Sequence, residues 1–116
     1  MDKQMDLYNQ LNRKMSLDQI QDYIKKVINI RGFGNQSVED ELLLLVEEVG
    51  ELAKAIRKNA TSMKIDQNKI QNYDTIENEV ADVFIVLNTI CNTLNINLFD
   101  SFSAKEKINT ERKWEE

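Results

Sequence analysis

A chain of 116 residues with 15 Lys+Arg against 20 Asp+Glu carries a formal charge of −5 and no histidine. Its 41% hydrophobic content suits one soluble domain rather than two and excludes a disordered acidic tail, while the acidic balance argues against a nucleic-acid polymer as partner. The missing histidine excludes Ser-His-Asp and Cys-His nucleophiles, His-containing zinc sites and Glu-x-x-His di-iron ligation, so any metal must be held by oxygen.

Residues 1–15 are polar and form an N-terminal extension, in which the recurrence of Leu7, Leu11 and Met15 every four residues predicts a short helix. The rest of the chain, 16–116, reads as the domain proper. Ser16 with Gln19 is a capping-box pair opening a first main helix, with Leu17, Ile20, Ile24 and Val27 on one stripe. That helix should stop at Arg31-Gly32-Phe33-Gly34-Asn35-Gln36, where glycine accepts positive φ. Ser37 is a good N-cap for a second helix running to about Asn59, with Glu39, Asp40 and Glu41 in its first turn and Lys54, Arg57 and Lys58 towards its end. Residues 60–73 are a polar connector. Asp74 with Glu77 offers a cap for a third helix over about Thr75 to Leu94, and Asn97 one for a fourth from Leu98 to about Arg112. There is no proline, so strand and hairpin punctuation is nearly absent. The expected fold is an all-α four-helix bundle.

The informative residues are acids among apolar ones. The second helix carries an apolar seam of Leu42, Leu45, Val49, Leu52 and Ile56. Glu48 and Glu51, three apart, project from one face; Leu44 and Ala55 lie on the same stripe, so that face borders the core. Glu47 points about 100° away from Glu48. In the third helix every residue from Val80 to Leu87 except Asp82 is apolar, and Glu79 sits one turn before Asp82. A single Glu-x-x-Glu is ordinarily solvated or salt-bridged to neighbouring lysines. Two such pairs in the most apolar helix segments are different, because four converging carboxylates repel unless a multivalent cation bridges them. Oxygen-only ligands select hard ions, Mg²⁺ first and Mn²⁺ next, and Mg²⁺ commonly meets substrate phosphates. Gly50, between Glu48 and Glu51, is compatible with close approach of a ligand or helix and equally with simple packing.

The segments Glu47-Glu48-Val49-Gly50-Glu51-Leu52-Ala53 and Glu79-Val80-Ala81-Asp82-Val83 together resemble the MazG-like all-α nucleoside triphosphate pyrophosphohydrolases, whose pattern is Glu-x-x-Glu followed by Glu-x-x-Asp on two helices. The resemblance covers most of residues 17–114, with Lys105, Asn109, Arg112 and Trp114 similar to the Lys/Asn/Arg-rich final motif of small members. It implies hydrolysis of a (d)NTP to the monophosphate and pyrophosphate. Glu48, Glu51, Glu79 and Asp82 would hold Mg²⁺, with Glu47 as a further catalytic candidate that positions water. It also implies a homodimer or homotetramer. Leu42 to Val46, apolar on nearly all sides of its helix, fits burial on two faces independently of the resemblance.

The spacing of Phe102, Lys105, Asn109 and Arg112 places two cations and an amide on one face of the fourth helix. They are candidates for binding substrate, against the plain alternative of a solvated basic helix end. Phe33, Tyr73 and Trp114 are able to stack on a base, with Asn35 and Gln36 at a pocket mouth, although each aromatic is more often a packing residue. Cys91 stands alone, reads as a buried apolar thiol and allows no intrachain disulfide, which fits a cytoplasmic protein. No apolar run approaches the roughly 20 residues of a membrane span, and the polar N-terminus lacks a signal-peptide core. Two alternatives stay open: a non-catalytic helical nucleotide- or partner-binding regulatory module, and a different phosphohydrolase using the same cluster.

Overall fold

Side-chain caps set where the helices begin. The computed structural model describes residues 2–66, 68 and 74–114, in which the helices are α1 (Lys3–Tyr8), α2 (Leu17–Ile30), α3 (Val38–Ala60), α4 (Ile76–Thr93) and α5 (Leu98–Thr110), with no strand among the described residues. The all-α class follows directly. Ser16 and Gln19 form the complete capping box of α2, Ser37 Oγ accepts from the amide of Asp40 to cap α3, and Asn97 Oδ1 accepts from the amide of Asp100 to cap α5. At α4 the cap falls one residue later than expected. Thr75 Oγ1 accepts from the amide of Asn78, while Asp74 accepts from the amide of Thr75 and from Asn78 Nδ2. Those two bonds hold the Asp74 carboxyl below its ordinary pKa.

Two helix ends use the left-handed region. After α2, Gly32 at φ 89° lets the amide of Phe33 reach Ile28 O while its own reaches Asn29 O, a Schellman closure. After α4 the same pair of bonds runs from Ile96 to Cys91 O and from Asn95 to Asn92 O, with Asn95 at φ 56° in the glycine role. The N-terminal helix is shorter than the Leu7-Leu11-Met15 spacing predicts. It ends at Tyr8, and Asn12 turns the chain beyond it, its Oδ1 accepting from the amide of Lys14. The expected connector begins at Thr61, whose hydroxyl donates to Arg57 O and accepts from the amide of Met63; Tyr73 lies outside the described residues.

The chain divides into two compact units, Met1–Asn35 with Cys91–Glu116 and Gln36–Ile90. In the first, α2 packs against α1 and α5 around Ile24, Val27 and Cys91. Arg31 Nε donates to Gln4 Oε1 between α2 and α1. Gln21, a residue the apolar stripe passes over, is buried on the same face. Its Nε2 donates to Asn92 Oδ1 and to Ile96 O, its Oε1 accepts from the amide of Leu98, and its own carbonyl accepts from Asn92 Nδ2. This satisfied polar latch ties α2 to the α4–α5 corner. Burial also raises the Cys91 thiol pKa, as expected for an inert buried cysteine.

The second unit contains the acid-bearing segments. Here the seam of α3 is displaced from the expected one. Glu41 and Ala55 are buried and Leu44, Leu45, Glu48 and Leu52 are half-buried, while Leu42, Val49 and Ile56 are exposed. The stretch has apolar residues on several sides, so periodicity alone fits either register. No single helix among the described residues is long and apolar enough to cross a membrane.

Candidate metal centre

The spacing of acids on α3 and α4 brings three of them together. Glu48, Glu79 and Asp82 each offer a carboxylate oxygen, and these atoms lie within 4.8 Å of one another. Glu48 stands on the half-buried stripe of α3 that also carries Leu44 and Ala55. Glu79 and Asp82 are three apart, so both project from one face of α4. Glu79 is 5% exposed, and its Oε2 is buried without a hydrogen-bond partner.

The electrostatics follow from that convergence. Desolvation first, then the charges of Asp82, Glu79, Glu51 and Glu47, push the Glu48 pKa above its ordinary 4.5. Glu79 is raised by desolvation and by Asp82, Asp74 and Glu51, with Lys54 opposing. In both, desolvation leads and like charge adds to it, so positive charge at the cluster favours the ionised forms. A divalent ion would supply it. The donor set is all carboxylate oxygen, and the orphaned Glu79 oxygen is a ligand atom already desolvated, so these residues fit a hard cation.

Other candidates are placed differently. Glu51 is outside the convergent triplet; its Oε2 is 3.5 Å from Lys54 Nζ. Glu47 is exposed, in keeping with its position off the main stripe. Gly50 faces open space, since nothing lies within 4 Å of where a Cβ would stand, so no close approach within the chain accounts for it. Gly34 is the crowded glycine, with the Asn29 side chain where its Cβ would be.

The basic face expected on the last helix is shorter than predicted. α5 stops at Thr110, which leaves Arg112 beyond the helix, its guanidinium 5.0 Å from the Trp114 ring centroid. Trp114 Nε1 donates to Asn109 O, and Asn109 Nδ2 to Glu106 Oε2. Lys105 remains exposed on the helix. Of the stacking candidates, Phe33 and Trp114 are exposed, as is Asn35, while Gln36 is half-buried. Sequence reasoning missed the Lys54–Glu51 ion pair, although the position of Lys54 one turn after Glu51 was a readable signal.

Carboxylate oxygens converging from a Glu-bearing helix and a Glu-x-x-Asp helix in an all-α protein define a candidate divalent-cation centre. The MazG nucleotide pyrophosphohydrolase domain matches residues 36–114, and the chain belongs to that family. No curated protein and no solved structure matches it.

Proposed function

We propose that this chain is a Mg²⁺-dependent nucleoside triphosphate pyrophosphohydrolase, converting a (d)NTP and water to the (d)NMP and pyrophosphate. The observation that carries the reading is the Glu48–Glu79–Asp82 convergence, with a buried, unpartnered Glu79 oxygen, inside a MazG domain. Glu48, Glu79 and Asp82 would hold the ion, and Glu51, one turn along α3 from Glu48, would join them as the fourth carboxylate. Mg²⁺, or Mn²⁺ in its place, would neutralise triphosphate charge and acidify water for attack at the α-phosphorus. The protein's own part is positional. The helices fix the carboxylates, burial of Glu79 keeps water off one of its oxygens, and exposed Glu47 is the candidate to orient the attacking water. Lys105, Asn109 and Arg112 are the candidate substrate ligands. The Arg112 guanidinium over the exposed Trp114 ring places a cation at that end, with donors suited to phosphate.

A homo-oligomer, dimer or tetramer, is part of the same reading. α3 exposes Leu42, Leu43, Val46 and Val49, and α4 exposes Val80, Phe84 and Leu87. Exposed apolar stripes of that kind are suited to burial against a second copy. The site and assembly suit a cytoplasmic enzyme of the nucleotide pool.

The test is purified protein with a nucleotide panel and Mg²⁺ or Mn²⁺, with product identification. Release of pyrophosphate and monophosphate is expected. Asp82→Ala should lower kcat more than about 100-fold, beyond the range that even outer-shell partners of a metal command, with helicity by circular dichroism unchanged. Release of orthophosphate would assign a different phosphohydrolase. No turnover together with no metal-induced stabilisation would leave the regulatory-module alternative.

A further inference from the structure

Lys54 is the cation paired with Glu51, the fourth carboxylate of the proposed site. It lies one turn beyond Glu51 on α3, with Nζ 3.5 Å from Glu51 Oε2 and both side chains about two-fifths exposed, at 41% and 43%. Glu51 itself lies one turn along α3 from Glu48 but stays outside the convergent triplet. The fourth acid is thus held by a lysine at the edge of the site. An exposed ion pair of this spacing contributes little to stability, so fold maintenance is a weak reason for it.

We propose that Lys54 is a positioning and phosphate-binding residue that competes with the divalent cation for Glu51 and, when Glu51 becomes a metal ligand, turns its ammonium to the substrate's phosphate oxygens. The inference rests on the metal reading above. Its chemistry is an exchange of partners with no bond made or broken. A lysine ammonium on a flexible stem presents three donors as a point charge, able to move from a carboxylate to an adjacent phosphate. An anionic triphosphate entering an acidic site needs such a charge beside it. The exchange also couples the two ligands. Metal release returns Lys54 to Glu51, and the metal-free site presents one cation fewer to phosphate.

Two variants test this, Lys54→Met, which keeps the length and removes the charge, and Lys54→Arg, which keeps the charge. Mn²⁺ affinity is measured by calorimetry on the nucleotide-free protein, and KM and kcat by pyrophosphate release. Lys54→Met should bind Mn²⁺ about threefold to tenfold more tightly, because the competing charge is gone, yet show a KM for nucleoside triphosphate raised about tenfold or more, with kcat changed less. Lys54→Arg should restore both towards wild type. Mn²⁺ affinity unchanged or weakened in Lys54→Met overturns the competition, and an unchanged KM overturns the phosphate contact. Wild-type protein that binds no Mn²⁺ overturns the metal reading itself and this proposal with it. That outcome is distinct from a wild type that binds and a Lys54→Met that is indifferent. Circular dichroism establishes that both variants are folded.

Discussion

Glu79 shows how one residue carries a functional signal that its neighbours do not. It is buried, one oxygen has no partner, and the charges of Asp82, Asp74 and Glu51 add to desolvation to raise its pKa. A glutamate whose folded value lies above its ordinary 4.5 contributes stability that is fully present below 4.5 and lost as pH rises through the raised value. Metal-free Glu79→Gln should therefore melt higher than metal-free wild type at neutral pH, and the gap should close as pH falls towards 4.5. Mg²⁺ at neutral pH should raise the wild-type melting temperature more than that of Glu79→Gln. Scanning calorimetry across this pH range checks both. Glu48, Glu79 and Asp82 are legible from sequence because acids three apart in apolar helix segments are costly to bury unless a cation meets them. That Glu51 sits with Lys54 rather than in the triplet is not legible, since spacing fixes which face a side chain leaves from and not which partner its end selects.

At the scale of the element, local chemistry is the more readable. The Ser16, Ser37 and Asn97 caps and the Gly32 stop lie within four residues of the groups they satisfy, and the sequence alone locates them. Thr75 displaces Asp74 because two capping side chains are adjacent, and the hydroxyl rather than the carboxylate reaches the Asn78 amide. Asn95 in the left-handed region and Gln21 on a core face are hidden in the sequence, the first because asparagine enters that region less often than glycine, the second because a glutamine reads as surface. Gln21→Ala should strip partners from Ile96 O, the Leu98 amide and Asn92 Oδ1. A loss of about 2 kcal/mol is expected from urea denaturation, since buried groups left unpaired forfeit their desolvation. Because Leu98 opens α5, the first turn of that helix should also lose hydrogen-exchange protection.

On the molecular scale the second unit is short of apolar core. Among its described residues Ala55 is the one fully buried apolar side chain, alongside buried Glu41, Glu79 and Asn88. Meanwhile Leu43 and Val46 are 64% and 63% exposed. Burying such side chains is worth about 1.5–3 kcal/mol each, which a second copy would recover. Wild-type protein should sediment above the monomer mass at micromolar concentration. Val46→Glu should shift it to monomer with its helicity retained, because an exposed position tolerates charge and a buried interface does not. A monomeric wild type would remove the argument.

Composition, periodicity and contacts a few residues apart are enough to set the helical class, most helix boundaries, the exclusion of histidine chemistry and three of the acids that meet. The tertiary structure settled which face of α3 turns inward, and the local side-chain choices that spacing leaves open: Arg112 on Trp114 rather than extending a helix face, and Lys54 at the fourth acid. The Leu42–Val46 stretch is apolar on too many sides for its period to name a face, so neighbouring elements, which no local pattern encodes, made the choice.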